Sequence, residues 1–101
     1  MRKIEQQMID AIENKKQFNS GNTRVEYLPE VDTSMQSRIE HCKIYLHGNH
    51  IATYAYGRDR YYMNKNTLLQ WPTNTTKSRL NALGFKVAFK QGKILIDGVA
   101  Q

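Results

Sequence analysis

A chain of 101 residues with a net charge of +6 has room for one domain around one modest core, which leaves little for an enclosed active site. Its 40% hydrophobic and 10% aromatic content is that of a folding sequence, and its one cysteine, Cys42, excludes an intrachain disulfide or a multi-cysteine zinc site. No apolar run approaches the ~18 residues that span a bilayer, and the opening Met1 to Glu5 lacks the apolar core of a signal peptide.

The first element is an amphipathic helix over residues 1–17, with Ile4, Met8, Ile9, Ala11 and Ile12 at helical spacing. Asn19-Ser20-Gly21-Asn22 ends it, and a short strand over Thr23 to Leu28 follows. Pro29 to Ser37 is polar and aperiodic, so it reads as a loop. In Glu40 to Leu46 the apolar Cys42, Ile44 and Leu46 alternate with His41, Lys43 and Tyr45, the period of a half-buried strand. Gly48-Asn49 is expected to turn the chain into a return strand at Ile51 to Tyr56. Gly57-Arg58-Asp59 turns it again into Arg60 to Asn64.

Leu68, Leu69 and Trp71 are then expected to anchor a crossover in the core. A short helix over 75–83 follows, with Leu80 and Leu83 as its apolar stripe and Gly84 at the position of a C-terminal cap. The tail, 85–97, is a hairpin turning at Gln91-Gly92. The predicted class is α+β in a single domain of residues 1–101, two helices on a mainly antiparallel sheet of five to six strands.

The charge is lopsided. Residues 1–40 hold six basic and seven acidic side chains, whereas residues 41–101 hold nine against two. Such a field attracts nucleic acid or an acidic protein surface. Two constellations lie within it. Tyr54, Tyr56, Arg58, Arg60, Tyr61 and Tyr62 crowd one predicted turn, and tyrosines beside guanidinium groups suit base stacking and phosphate contact; the same residues also serve as core tyrosines and a solvated turn. Thr75, Thr76 and Lys77 open the second helix with hydroxyls, free N–H groups and a cation, a cradle for phosphate, although plain N-capping is the better account of the threonines. Arg79, Lys86, Lys90 and Lys93 extend the candidate phosphate contacts.

Chemistry beyond binding finds no support. A two-residue turn would set His47 opposite His50, but no third metal ligand is near. Cys42 has no well-placed base, Asp59 and Asp97 have no acidic neighbour, and the threonines lack the glycines of a P-loop. The expectation is therefore a non-enzymatic protein without metal or cofactor.

Leu46 to Ala52, Trp71 to Leu83 and the opening Met1 to Met8 resemble segments of small accessory proteins of tailed bacteriophages. The likeness covers a little over a quarter of the chain and carries no catalytic signature. It implies expression in the cytoplasm of a bacterial host, and a protein that blocks a host protein or nucleoprotein complex, for instance a CRISPR–Cas defence system. Direct binding of DNA or RNA through the basic, tyrosine-rich surface is the alternative, and sequestration of a nucleotide a third. No membrane partner is expected, and self-association stays open.

Overall fold

In a computed structural model, which describes residues 1–32 and 37–101, the chain is α+β with an N-terminal helix, two further helices and two antiparallel sheets. The helix α1 (Lys3–Glu13) precedes β1 (Phe18–Ser20), β2 (Thr23–Asp32), β3 (Ser37–Leu46), β4 (Asn49–Ala55) and β5 (Arg60–Met63), which pair in chain order as one five-stranded meander. Two short helices follow, α2 (Lys65–Gln70) and α3 (Asn74–Ala82). The chain ends in a small sheet of β6 (Val87–Lys90), β7 (Lys93–Ile96) and β8 (Val99–Ala100).

The helix α1 forms where the apolar period predicts it, and its first turn is closed by the Arg2 amide donating to Glu5 Oε1 at 3.1 Å. Met8 and Ile12, both fully buried, lie in one core with Val25, Cys42, Ile44, Leu46 and Ala52 of the sheet. Leu68, Leu80, Leu83, Val87 and Ile96 extend that core to the C-terminal third of the chain.

Several local expectations change. The strand β2 runs on through Pro29 to Asp32 instead of ending at Leu28, with Pro29 opposite Glu40. Proline is tolerated because β1 pairs with β2 only as far as Val25, so the other edge of β2 has no ladder for a missing N–H to break among the described residues. The Gln17 side chain stands in for a partner strand on that edge, donating to the Tyr27 carbonyl at 2.8 Å and accepting from its amide at 3.2 Å. The remainder of the predicted loop, 33–36, lies outside the described residues.

The β3–β4 turn is His47-Gly48, not Gly48-Asn49: both residues have positive φ, 51° and 79°, the backbone of a type I′ turn with glycine second. His47 therefore sits in the turn and does not face His50. The same geometry recurs at Asp97-Gly98, where φ values of 53° and 82° produce the unpredicted strand β8. The unpredicted helix α2 starts at Asn64, whose side chain accepts from the Thr67 amide. It buries Leu68 but leaves Leu69 and Trp71 about half exposed, so only one of the three expected anchors reaches the core.

The two helices that flank the core are joined by a buried ion pair. Arg79 Nη1 lies 2.9 Å from Glu5 Oε2, each side chain 3% exposed. Arg79 Nε donates to Thr23 Oγ1 at 3.0 Å, Nη2 to Asn22 Oδ1 at 3.3 Å, and Ser78 Oγ to Glu5 at 2.5 Å. Among the described residues no buried side-chain nitrogen or oxygen lacks a partner. Burial alone would raise the Glu5 pKa, but the bonds from Ser78, the Arg2 amide and Arg79 outweigh it and hold the carboxyl below its ordinary value.

Two outcomes follow. Glu5→Gln leaves the Arg79 charge buried without a counter-ion, and urea unfolding should show a loss of about 3–5 kcal/mol. A depressed folded pKa stabilises above the unfolded value near 4.5 and is lost as pH falls through the folded one. Wild-type stability should therefore drop below about pH 4.5, and this acid-sensitive component should be absent from Glu5→Gln.

Candidate nucleic-acid interface

Alternation along the strands of the five-stranded sheet gives it two unlike faces. One packs on α1 through Val25, Cys42, Ile44 and Ala52. The other carries three cross-strand rows, none of whose residues is buried: Arg24–Tyr45–His50, Glu26–Lys43–Thr53–Tyr62 and Leu28–His41–Ala55–Arg60. Directly opposed side chains on one face lie ~5 Å apart at Cβ, so each row is a continuous strip.

A β-bulge builds the first row. The register slips between Ile44 and Tyr45, so that Ile51 and Ala52 both point into the core and His50 comes to lie opposite Tyr45. The Tyr45 and His50 rings are 5.5 Å apart, and the Arg24 guanidinium carbon lies 4.2 Å from the centre of the Tyr45 ring. In the neighbouring rows the Arg60 guanidinium carbon lies 5.4 Å from the Tyr62 ring, which is 41% exposed. These are cation–π contacts worth about 0.5–1 kcal/mol each at exposed sites, and they hold flat groups ready for stacking.

Beside Tyr62 the face dips into a cleft of 450 Å³ walled by His50, Thr53, Met63, Asn64 and Lys65. His50 Nε2 is 2.8 Å from Thr53 Oγ1, and Nδ1 is 3.5 Å from Asn64 Nδ2. Burial lowers the His50 pKa, a backbone contact at Ala52 opposes it and Lys43 adds to it, so the neutral form of the ring is favoured. Amide, hydroxyl and neutral imidazole groups around an exposed ring can hydrogen-bond the edge of a base stacked on that ring.

The predicted cluster around the β4–β5 turn divides between the faces. Arg60 and Tyr62 are on the open face. Tyr54 and Tyr61, opposite each other with rings 4.6 Å apart, belong to the α1 side, as does Tyr56. The Tyr56 hydroxyl donates to the Ile12 carbonyl at the end of α1 and lies 3.0 Å from Cys42 Sγ, so Tyr56 closes a helix end instead of offering a stacking surface. Cys42 is fully buried, and burial raises its pKa despite the bond to Tyr56. Arg58 is exposed in the turn itself.

The second constellation is dispersed in the same way. Thr73 caps α3, accepting from the Thr76 amide at 3.1 Å; Thr76 is buried and Thr75 half-buried. Lys77 Nζ lies 5.2 Å from the Phe89 ring. Arg79 is held inside by Glu5, so it makes no surface contact, as a guanidinium at that depth requires a partner. Lys86, Lys90 and Lys93 are exposed on the C-terminal hairpin, with Lys90 opposite Lys93. Arg24, Lys43, Tyr45 and Thr53 are site residues that the sequence did not single out, and His50 was weighed there only as a metal ligand. The alternation of Lys43 and Tyr45 against Ile44 was their one visible signal.

No group of three or more His, Cys, Asp or Glu among the described residues is arranged to hold a metal, and none of the helices described is long and apolar enough to cross a membrane. A family model described as Kyanoviridae Gp96 protein matches residues 1–100. No curated protein and no solved structure matches the chain.

Tyr54, Tyr56 and Tyr61 sit where ionisation is opposed. The hydrogen bond to Asp59 pushes Tyr54 up to about 12, burial pushes Tyr61 up to about 12, and burial raises Tyr56 as well. Phenolate absorbance from these three rings should therefore appear only well above pH 10. Asp59→Asn should move Tyr54 back toward the ordinary range and Tyr61 by less, since Asp59 is the first cause of the shift at Tyr54 and a minor one at Tyr61; an unchanged titration would remove the Tyr54–Asp59 bond from the account.

Proposed function

The chain belongs to the Kyanoviridae Gp96 protein family of tailed phages, and we propose that it binds single-stranded nucleic acid across the open face of its five-stranded sheet. The observation that carries this is the row Arg24–Tyr45–His50 lying beside Thr53–Tyr62, with Lys43 and Arg60 between and below. Single strands are bound by a positive groove along the backbone together with aromatic rings on which successive bases stack. Here Tyr45 and Tyr62 supply the rings. Arg24, Lys43, Arg60 and Lys65 supply four cations against the single carboxylate of Glu26 in the three rows.

A duplex fits the face less well. Its bases are already stacked and unavailable to Tyr62. The face offers little to an enzyme, since its polar groups bind one another without an activated nucleophile or paired carboxylates. A host protein with an acidic surface is the other partner this charge admits, which makes it an outcome of the test.

Fluorescence anisotropy with labelled single- and double-stranded oligonucleotides over a salt series tests the proposal. Four phosphate contacts on a single strand predict a slope of log K against log salt of about −2.8, from −0.7 per contact. Tyr62→Ala should weaken binding by about 1–3 kcal/mol, and Lys90→Ala with Lys93→Ala, on the other sheet, should leave the Tyr62-dependent component intact. Absence of binding at low salt would refute nucleic-acid recognition. Capture of a host protein in that case, lost in Arg24→Glu, would assign the face to protein contact.

A further inference from the structure

On the opposite side of the sheet from Tyr62, a cleft of 570 Å³ opens between the end of α1 and the β4–β5 turn. Its apolar wall is Ile12 with Tyr54, Tyr56 and Tyr61. The rings meet at different angles: Tyr54 and Tyr61 are 4.6 Å apart and inclined at 49°, Tyr54 and Tyr56 4.8 Å apart and nearly perpendicular at 88°. Perpendicular rings make a concave corner of π-faces and edges, and a cation seated over the faces is attracted by the ring quadrupoles.

Two carboxylates, Glu13 and Asp59, and two cations, Lys15 and Arg60, line this cleft. Glu13 and Asp59 stand at the cleft, and Glu13 ends α1, whose last turn holds no basic residue to offset the negative end of the helix dipole. Lys15 also borders the cleft, but its ammonium is 2.8 Å from Glu40, which offsets it locally. That ammonium lies 5.1 Å from the Tyr56 ring, so one ring of the set already receives a cation from within the chain; among the described residues none is set over Tyr54 or Tyr61. Arg60 also lines the cleft, with its guanidinium carbon 5.4 Å from the Tyr62 ring of the other face. The charges of Asp59 and Glu13 both contribute to holding the Tyr54 and Tyr61 phenols protonated, the same field that a cation would experience as attraction.

We propose that this cleft is a binding site for an organic cation, an alkylammonium or guanidinium group held over Tyr54 and Tyr61 and paired with Glu13 and Asp59. The site lies on the side of the sheet opposite the nucleic-acid face and does not depend on it. The two sources of such a group are a free polyamine and a lysine or arginine side chain of a partner protein.

The test follows the tyrosine ring and Asp59 resonances by NMR, without nucleic acid, during titration with N-methylguanidinium, spermidine, an arginine-containing peptide and the neutral isostere N-methylurea. The cations should shift Tyr54 and Tyr61 with dissociation constants on the order of 1 mM or tighter, and N-methylurea should not. Glu13→Gln with Asp59→Asn, both at exposed positions, should weaken cation binding about tenfold with the fold retained. Tighter binding of spermidine would identify a polyamine, and tighter binding of the peptide a basic partner protein. Silence of the tyrosine rings with every cation, equal shifts with N-methylurea, or unchanged affinity in the double variant would overturn the proposal.

Discussion

The buried pair of Glu5 and Arg79 is the constraint on which the arrangement of this fold rests. It is an N-terminal helix residue bound to one 74 positions later, with Thr23 and Asn22 at the start of β2 completing the guanidinium's bonds. Desolvating both charges is costly, and pairs of this kind owe their persistence to complete hydrogen bonding rather than to net stabilisation. What the pair supplies is geometry. It ties the helices α1 and α3 and the first residues of the meander to one another, so α1 lies against one face of the sheet and the opposite face stays bare.

From that placement the division of chemistry follows. The covered face takes the apolar alternation and, beyond the end of α1, the tyrosines Tyr54, Tyr56 and Tyr61 with Glu13 and Asp59 at their margin. The bare face takes the polar alternation, with Arg24, Lys43 and Arg60 among Tyr45, His50 and Tyr62. A net charge of +6 thus conceals two unlike surfaces, a tyrosine corner with two carboxylates at its margin and a basic face, separated by the thickness of one sheet. Long-range attraction to a polyanion and short-range attraction to a cation are compatible in one small protein because they act on opposite surfaces.

Much of the architecture was legible in the sequence because it depends on short periods. The helical spacing of Met8 and Ile12, the alternation around Ile44, the Gln91-Gly92 turn and the cap at Gly84 are local patterns, and each produced the element expected of it. What escaped depends on register or on distant partners. A one-residue difference in the turn, His47-Gly48 instead of Gly48-Asn49, moves His47 out of the ladder, and the bulge after Ile44 then returns His50 to the open face. The six tyrosines and arginines from Tyr54 to Tyr62 crowd one turn in the sequence, which leaves open which of them share a face; β-strand alternation sends Tyr62 and Tyr61 to opposite sides. Pro29 marked a loop by its type alone, and only the free edge of β2 explains why it stays in a strand.

Arg79 shows why charge counting along a chain misplaces a surface. It adds one unit to the basic C-terminal segment, but its charge is spent against Glu5 in the interior and contributes almost nothing to the outside field. Arg24 belongs to the acidic first part of the chain, yet the meander sets it beside Tyr45 on the open face. The candidate interface therefore draws its cations from both parts of the sequence, and its aromatic platform from strands β3 and β5. Charge counted along a chain is a sum over its residues, whereas the side chains that share a face are a consequence of strand register.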